Sequence, residues 1–108
     1  MSDGPVDPRP RIEVGDVVDG VLVVRLLGEH DLASRERVAR ALDVRGAGVV
    51  VDLRGCSFVD SSVVNVFVRA HQRLATAGQS FELLVSEGTV SGALDVMGVG
   101  SVIPIRRD

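Results

Sequence analysis

Residues 48–62 read GVVVDLRGCSFVDSS and carry the clearest structural signal in the chain. Gly48 to Leu53 is a short, mainly apolar run, which is typical of a strand buried on both faces of a parallel sheet. A predicted loop, Arg54 to Val59, follows this strand. The Asp-Ser-Ser of residues 60–62 then precedes a second apolar stretch. The pattern therefore favours a parallel sheet covered by helices.

The stretch that follows predicts a helix from Val63 to Ala77, although its first residues, VVNVFV, would also suit a strand. Polar residues recur along it at spacings of three and four. Asp60 is a good N-cap, and Gly78 is a good signal for the C-terminal end of a helix. These features together favour the helix.

The residues before the central stretch predict a hairpin and a helix. Strands from Ile12 to Val18 and from Val21 to Leu27 flank an Asp-Gly turn at residues 19–20. From Asp31 the sequence DLASRERVARALDV places Leu32 and later apolar residues near helical spacing. This segment predicts an amphipathic helix that ends before the glycines at positions 46 and 48.

The remaining residues complete an alternating order of strands and helices. A strand is predicted from Ser80 to Val85, a helix from Thr89 to Met97 and a last strand from Ser101 to Ile105. The order ββαβαβαβ predicts one α/β domain over residues 12–105, with a mixed, mostly parallel sheet, an N-terminal antiparallel hairpin and helices packed on the sheet. Residues 1–11 are expected to form a flexible tail, and residues 106–108 a short C-terminal tail.

The charge and composition exclude several classes of protein. The net charge is −3, whereas domains that bind nucleic acid through its phosphates need a basic surface. No apolar run approaches the length of a membrane span, and the N-terminus lacks the pattern of a signal peptide. The single cysteine, Cys56, excludes an internal disulfide. We therefore expect a cytoplasmic protein without membrane insertion whose partners are proteins.

The predicted topology gathers polar side chains at one edge of the sheet. Parallel strands end at a common edge, where α/β proteins place their sites. The loops concerned are residues 28–31, 54–62 and 86–89. They predict an acidic, hydroxyl-bearing surface formed by Glu29, Asp31, Asp60, Ser61 and Ser62, with His30 as a further candidate.

Ser61 and Ser62 are predicted at the first helical positions. Free backbone N–H groups and the positive end of the helix dipole stabilise a phosphate there. A phosphoserine would also add a charge of about −1.5 to −2 to the acidic surface. The alternative interpretation is that the Asp-Ser-Ser sequence only caps a helix.

An enzymatic function is not predicted. A serine nucleophile needs a base beside it, and His71 lies roughly 15 Å from Ser61 along the same helix at the ordinary helical rise. His30 is the other histidine, but no Gly-x-Ser-x-Gly sequence surrounds the serine. The histidines and carboxylates show no metal-ligand spacing, so we expect no metal, no cofactor and no catalytic residue.

Four segments together resemble the STAS domain of bacterial anti-sigma-factor antagonists. They are GEHDLAS at 28–34, VVVDLRGCSFVDSS at 49–62, AHQRLATAG at 70–78 and SGALDVMGV at 91–99. The resemblance implies binding to an anti-sigma factor that is also a serine kinase of the histidine-kinase-like ATPase type. It implies that this kinase phosphorylates Ser61, that a serine phosphatase reverses the reaction, and that the unphosphorylated protein releases a sigma factor. Glu29 and Asp31 would belong to the loop that faces the partner.

The sequence departs from the usual family pattern after the two serines. The family continues D-S-S-G-L-G, whereas Val63, Val64 and Asn65 follow the serines here. We expect Val64, with its apolar neighbours, to dock the partner; the alternative is that these residues belong to the core. Two other functions stay open, a non-switching STAS scaffold subunit of a stress-signalling or lipid-transport complex and a small-ligand sensor.

Overall fold

A computed structural model describes residues 7–108. The six strands are β1 (Arg11–Val18), β2 (Val21–His30), β3 (Gly48–Asp52), β4 (Cys56–Val59), β5 (Phe81–Val85) and β6 (Ile105–Arg107). The three α-helices are α1 (Arg35–Ala41), α2 (Ser61–Thr76) and α3 (Thr89–Val96), and a single 3₁₀ turn covers Val99–Ser101. None of these helices combines the length and the apolar character that a membrane span requires.

The sheet has the strand order β1-β2-β3-β5-β6. β1 is antiparallel to β2, and every other pair is parallel. The hairpin between β1 and β2 turns at Asp19 and Gly20, which both have positive φ, as a two-residue type I′ turn requires. The predicted α/β class, the hairpin and the mixed sheet are confirmed.

The core lies between the sheet and the helices. In β2 the side chains alternate, with Leu22, Val24 and Leu26 buried while Val23 and Arg25 are exposed. The buried face continues through β3 and β5 and packs against α1 and α2, where Phe67 is fully buried. This continuous aliphatic layer holds the helices at fixed positions on the sheet.

The opposite face of the sheet carries an ion-pair network instead of a helix layer. The carboxylate of Asp52, at the end of β3, accepts from Arg54 at 3.0 Å and from Arg25 at 3.4 Å. Arg54 also contacts Asp108, at 2.5 Å. Arg54 has the largest effect, and together with Arg25 it holds the pKa of Asp52 below its ordinary value, although burial opposes the charge. The network ties the loop after β3 to the end of β6.

The last strand differs from its sequence-based prediction. β6 covers Ile105–Arg107, and Leu83, Leu84 and Val85 of β5 are its partners. The predicted strand at Ser101–Ile105 therefore begins too early, because residues 99–101 form the 3₁₀ turn. Residues 106–108 are not a separate tail, since the backbone N–H of Asp108 also donates to Val85.

The strand β2 continues past Gly28, where the sequence predicted its end. Gly28 has a φ of +79°, and the register shifts beside it. β2 pairs with β3 as far as Arg25, and from Gly28 to His30 it pairs with β4. β4 itself was predicted as a loop. A glycine that permits this backbone bend lets one strand serve two parallel neighbours.

The close approach at Gly28 also orders the residues before β1. A side-chain Cβ on Gly28 would lie 2.1 Å from the carbonyl oxygen of Arg9. The neighbouring Glu29 N–H donates to the carbonyl of Pro8 at 3.0 Å. The prediction of a flexible tail over residues 1–11 thus fails at Pro8, whose carbonyl is bonded to β2, and at Arg11, which begins β1; residues 1–6 lie outside the described part.

The edge strand β1 contains a bulge. Val14 pairs with Val24, and Val17 pairs with Leu22, so β1 has one residue more than β2 in this interval. The side chains of Val14, Val17 and Val18 are all exposed. The bulge breaks the regular ladder in the middle of the strand.

Candidate functional site

The start of α2 is fixed by its N-cap, Asp60. Its backbone is extended, and its Oδ1 accepts from the Val63 N–H at 3.1 Å. This is the geometry that satisfies a free donor in the first turn of a helix. The prediction that Asp60 caps the helix is correct, and α2 begins with Ser61, the first position after this cap.

The two serines after Asp60 have different surroundings. The Ser62 hydroxyl donates to Asp60 Oδ1 at 2.6 Å and is half-buried. Ser61 is exposed, and its hydroxyl has no hydrogen bond with any other described residue. Of the two serines, only Ser61 therefore presents its hydroxyl to a partner.

The carboxylate of Asp60 is held in its charged form. Burial opposes the charge, but the Ser62 hydroxyl and the Val63 N–H donate to the carboxylate, and the nearby backbone N–H groups of Ser62 and Leu32 act in the same direction. Their combined effect lowers the pKa of Asp60 below its ordinary value. The negative charge beside Ser61 is thus permanent near neutral pH.

The loop that follows β2 lies against the start of α2. The Asp60 N–H donates to the His30 carbonyl at 3.3 Å. In this loop Asp31 accepts from the Ala33 N–H at 2.9 Å, which forms a tight turn before α1. Glu29 and Asp31 are exposed on the same edge of the sheet. The structure therefore brings Glu29 and Asp31 to the start of α2, as the topology predicted.

His30 does not belong to this surface, and the prediction of a partner contact through its side chain is wrong. The side chain is 0% exposed, because β2 continues and its alternation turns residue 30 inward. The ring Nε2 faces the carbonyls of Leu27 at 3.0 Å and Arg11 at 3.3 Å, while Nδ1 lies 3.0 Å from Ser34 Oγ. Two carbonyl acceptors require a proton on Nε2.

Burial lowers the pKa of His30, although the two backbone carbonyls oppose this effect. The neutral ring with its proton on Nε2 then accepts at Nδ1 from the Ser34 hydroxyl. Both ring nitrogens are engaged in the interior. This histidine is a structural support of the loop and is not positioned as a base for Ser61.

Val64 is also in the core, so the predicted docking role of its side chain is wrong. It is 8% exposed, and Val63 and Phe67 are both fully buried. The alternative of core packing is correct, because α2 packs the side that carries these three residues into the core. The apolar patch expected beside the serines is absent from residues 63–67.

The structure presents other apolar side chains at this edge, which the sequence did not reveal. Phe58 of β4 is 44% exposed and pairs with Glu29 of β2. Leu32 is 66% exposed, and its backbone N–H is near enough to Asp60 to help lower the pKa of that carboxyl group. Leu32 had been assigned to the buried face of a helix, but α1 begins only at Arg35. We name the group Glu29, Asp31, Leu32, Phe58, Asp60 and Ser61 the serine edge.

The loop after β5 adds a small recess near the serine edge. A cavity of about 170 Å³ lies between residues 53–57 and residues 86–90. Cys56 lines it with a buried thiol that donates to the Phe58 carbonyl, and burial raises the pKa of this thiol. Among residues 7–108, no three His, Cys, Asp or Glu side chains are grouped as a metal site requires.

The model of the STAS domain family matches residues 14–108, which is most of the chain. The chain therefore belongs to the STAS domain family. Comparison with curated protein sequences found no match.

Solved structures with the same fold carry more specific descriptions. An anti-sigma factor antagonist from Mycobacterium paratuberculosis has a TM-score of 0.80 at 19% identity, over 92% of this chain and 86% of that one. The anti-sigma factor antagonist SpoIIAA in its unphosphorylated form has a TM-score of 0.73 at 21% identity, over 91% and 88%. The phosphorylated form of SpoIIAA from Bacillus has a TM-score of 0.63 at 19% identity, over 91% of both chains. At these identities the likeness establishes the fold.

Proposed function

We propose that this chain is an anti-sigma-factor antagonist, controlled by phosphorylation of Ser61. In its unphosphorylated form it binds an anti-sigma factor that is also a serine kinase of the histidine-kinase-like ATPase type, and a sigma factor is released. Phosphorylation of Ser61 ends this binding, and a serine phosphatase restores it. The protein acts as a cytoplasmic binding component and has no catalytic role of its own.

The observation that carries this proposal is the difference between the two serine hydroxyls. The Ser61 hydroxyl is exposed and unbonded within the described residues, whereas that of Ser62 is held by Asp60. A kinase needs a hydroxyl that can reach its phosphate donor, and Ser61 alone meets this requirement without breaking a helix cap. The anti-sigma factor antagonists with the same fold, one of them solved in a phosphorylated form, support control by phosphorylation in general.

The expected effect of the phosphate is local and electrostatic. Asp60 already occupies donors of the first turn of α2, so a phosphate on Ser61 projects outward beside a carboxylate. It would add a charge of about −1.5 to −2 to an edge that already presents Glu29 and Asp31. A partner that binds this edge would lose affinity through charge and bulk, with no change of fold.

The partner contact is expected to use the exposed apolar side chains of the serine edge as well as the charges. Leu32 lies near Asp60 in space and Phe58 precedes it by two residues, and both expose large apolar groups. Apolar residues surrounded by polar ones are typical of the centre of a protein interface. Leu32→Ser and Phe58→Ser should each weaken partner binding about tenfold. Val96→Ser is the matched control, because Val96 is 89% exposed at the far end of α3.

The proposal is tested with a candidate histidine-kinase-like ATPase from the same organism. Incubation with ATP should place close to one phosphate on each chain, and peptide mapping should find it on Ser61. Ser61→Ala should abolish the incorporation, and Ser62→Ala should retain it. Phosphate on Ser62 or Thr89 of the wild-type chain, with none on Ser61, would contradict the assignment.

A calorimetric titration of the same partner separates the switch from the alternatives. Ser61→Ala should bind as the unphosphorylated protein does, whereas Ser61→Asp should bind at least about tenfold more weakly. Equal affinities of the two folded variants would show that charge at Ser61 does not control binding. A non-switching scaffold would then replace the proposed switch.

A further inference from the structure

The arginines of this protein fall into two groups. The chain has twelve arginines and no lysine. Six arginines form ion pairs with Asp or Glu: Arg9, Arg25, Arg45, Arg54, Arg106 and Arg107. Within residues 7–108 the other six lack such a partner: Arg11, Arg35, Arg37, Arg40, Arg69 and Arg73. Five of these six lie on α1 and α2. A chain of net negative charge thus concentrates uncompensated positive charge on its helical face.

Part of this charge surrounds a groove between α1 and α2. The groove has a volume of about 310 Å³. Arg35, Arg69 and Arg73 line it, with Glu36 as its one acidic side chain and the amide of Asn65. Apolar side chains, Leu42 among them, lie between these polar groups. The charged lining residues alone contribute a formal excess of two positive charges.

Arg73 gives the groove a donor that is already held in place. Its Nη2 donates to the carbonyl of Leu42 at the end of α1. Its Nε is buried and has no acceptor among the described residues. Because this Nε is closed to solvent, an anion in the groove would instead bind Nη1 of Arg73, which has no hydrogen bond with another described residue.

We propose that the groove between α1 and α2 binds a small organic phosphate. Planar guanidinium groups recognise phosphate oxygens with two parallel hydrogen bonds, and three of them converge on one cavity here. The volume lies at the lower end of the range for small-molecule sites, which suits a phosphorylated sugar or a nucleoside monophosphate. The apolar residues between the arginines would contact the body of such a molecule. This site is separate from the serine edge and is independent of the proposed switch.

The test uses ribose 5-phosphate, AMP and adenosine with the full chain and no partner protein. Calorimetry should show saturable binding of at least one of the two phosphates, and adenosine should bind at least about tenfold more weakly. Amide chemical shifts should change at the groove-lining residues of α1 and α2 and stay constant at Glu29, Asp31 and Phe58 of the serine edge. If both phosphates bind, the sugar phosphate is the group that the groove recognises. If only AMP binds, the groove also requires the adenine base.

A pair of matched variants completes the test. Arg69→Gln removes a charge from the groove and breaks no hydrogen bond of the described residues, so it should weaken phosphate binding about tenfold. Arg40→Gln removes the same charge from the same helical face outside the groove lining and should leave the affinity within about twofold. Equal weakening by both variants would show a diffuse electrostatic attraction and would overturn the proposal. No saturable binding of either phosphate, or equal affinity for adenosine, would overturn it too.

Discussion

Protonation of His30 should make the domain less stable in mild acid. The ring is buried, and its pKa is lowered from an ordinary value of 6.5. The unfolded chain therefore binds more protons than the folded one below this pH. The stabilisation by the neutral ring is complete above pH 6.5 and is lost as the pH falls toward the pKa of the folded state.

The size of this loss of stability follows from the one proton that His30 binds in the unfolded chain. If the folded ring stays neutral, stability falls by at most about 1.4 kcal/mol for each pH unit below the unfolded pKa. Between about pH 7.5 and 5.5 the total loss has a limit of about 1.4 kcal/mol. The buried carboxylate of Asp52 and that of Asp60 add nothing in this window, because their pKa values are lowered from 3.8.

Urea unfolding at several pH values measures this loss directly. The wild-type protein should lose stability over the window, and His30→Gln should lose little, since Gln does not titrate. The variant His71→Gln keeps the buried histidine and should retain the dependence. An NMR titration of the His30 ring gives a second measurement that does not require the variant to fold. A ring pKa at or above 6.5 in the folded protein would refute the reasoning.

Three further substitutions test the structure around the serine edge. Val64→Asp places a charge in the core and should lower the free energy of unfolding in urea by about 3 kcal/mol or more. The control Asn65→Asp changes an exposed neighbour and should alter it by no more than about 0.5 kcal/mol. Equal losses in the two variants would contradict the burial of Val64. Asp60→Ala removes the helix cap and should lower stability by about 1 kcal/mol, and an unchanged midpoint would show that the cap is dispensable. Gly28→Ala forces a side chain into the Arg9 carbonyl at a positive φ and should cost about 2 kcal/mol, which a stable variant with the wild-type midpoint would disprove.

Features set by short stretches of sequence were predictable. The hairpin turn at Asp19-Gly20 follows from the positive φ that both positions require. The two ends of α2 follow from Asp60 and from Gly78, where Gln79 N–H donates to the Leu74 carbonyl and the Gly78 N–H to that of Ala75. Each signal acts within a few residues and needs no knowledge of the rest of the fold.

Features set by distant pairing were not predictable. β4 has four residues, and it is a strand only because β2 continues beyond Gly28 and pairs with it. The same continuation turns His30 inward and leaves Phe58 exposed. A glycine in an apolar run indicates an end or a bulge equally well. The burial of Val64 depends on which side of α2 packs on the sheet, and the apolar residues at the start of the helix did not fix that side by themselves.

The bulge in β1 bears on the behaviour of the protein at high concentration. An outer strand with unpaired backbone groups and three exposed valines, Val14, Val17 and Val18, has the composition that recruits further strands into aggregates. The extra residue interrupts the backbone ladder, and Asp16 places a charge inside the interruption. A neighbouring molecule thus finds no uninterrupted edge of useful length. The bulge hinders the addition of strands from other molecules to β1, so a concentrated solution of the protein should stay monodisperse.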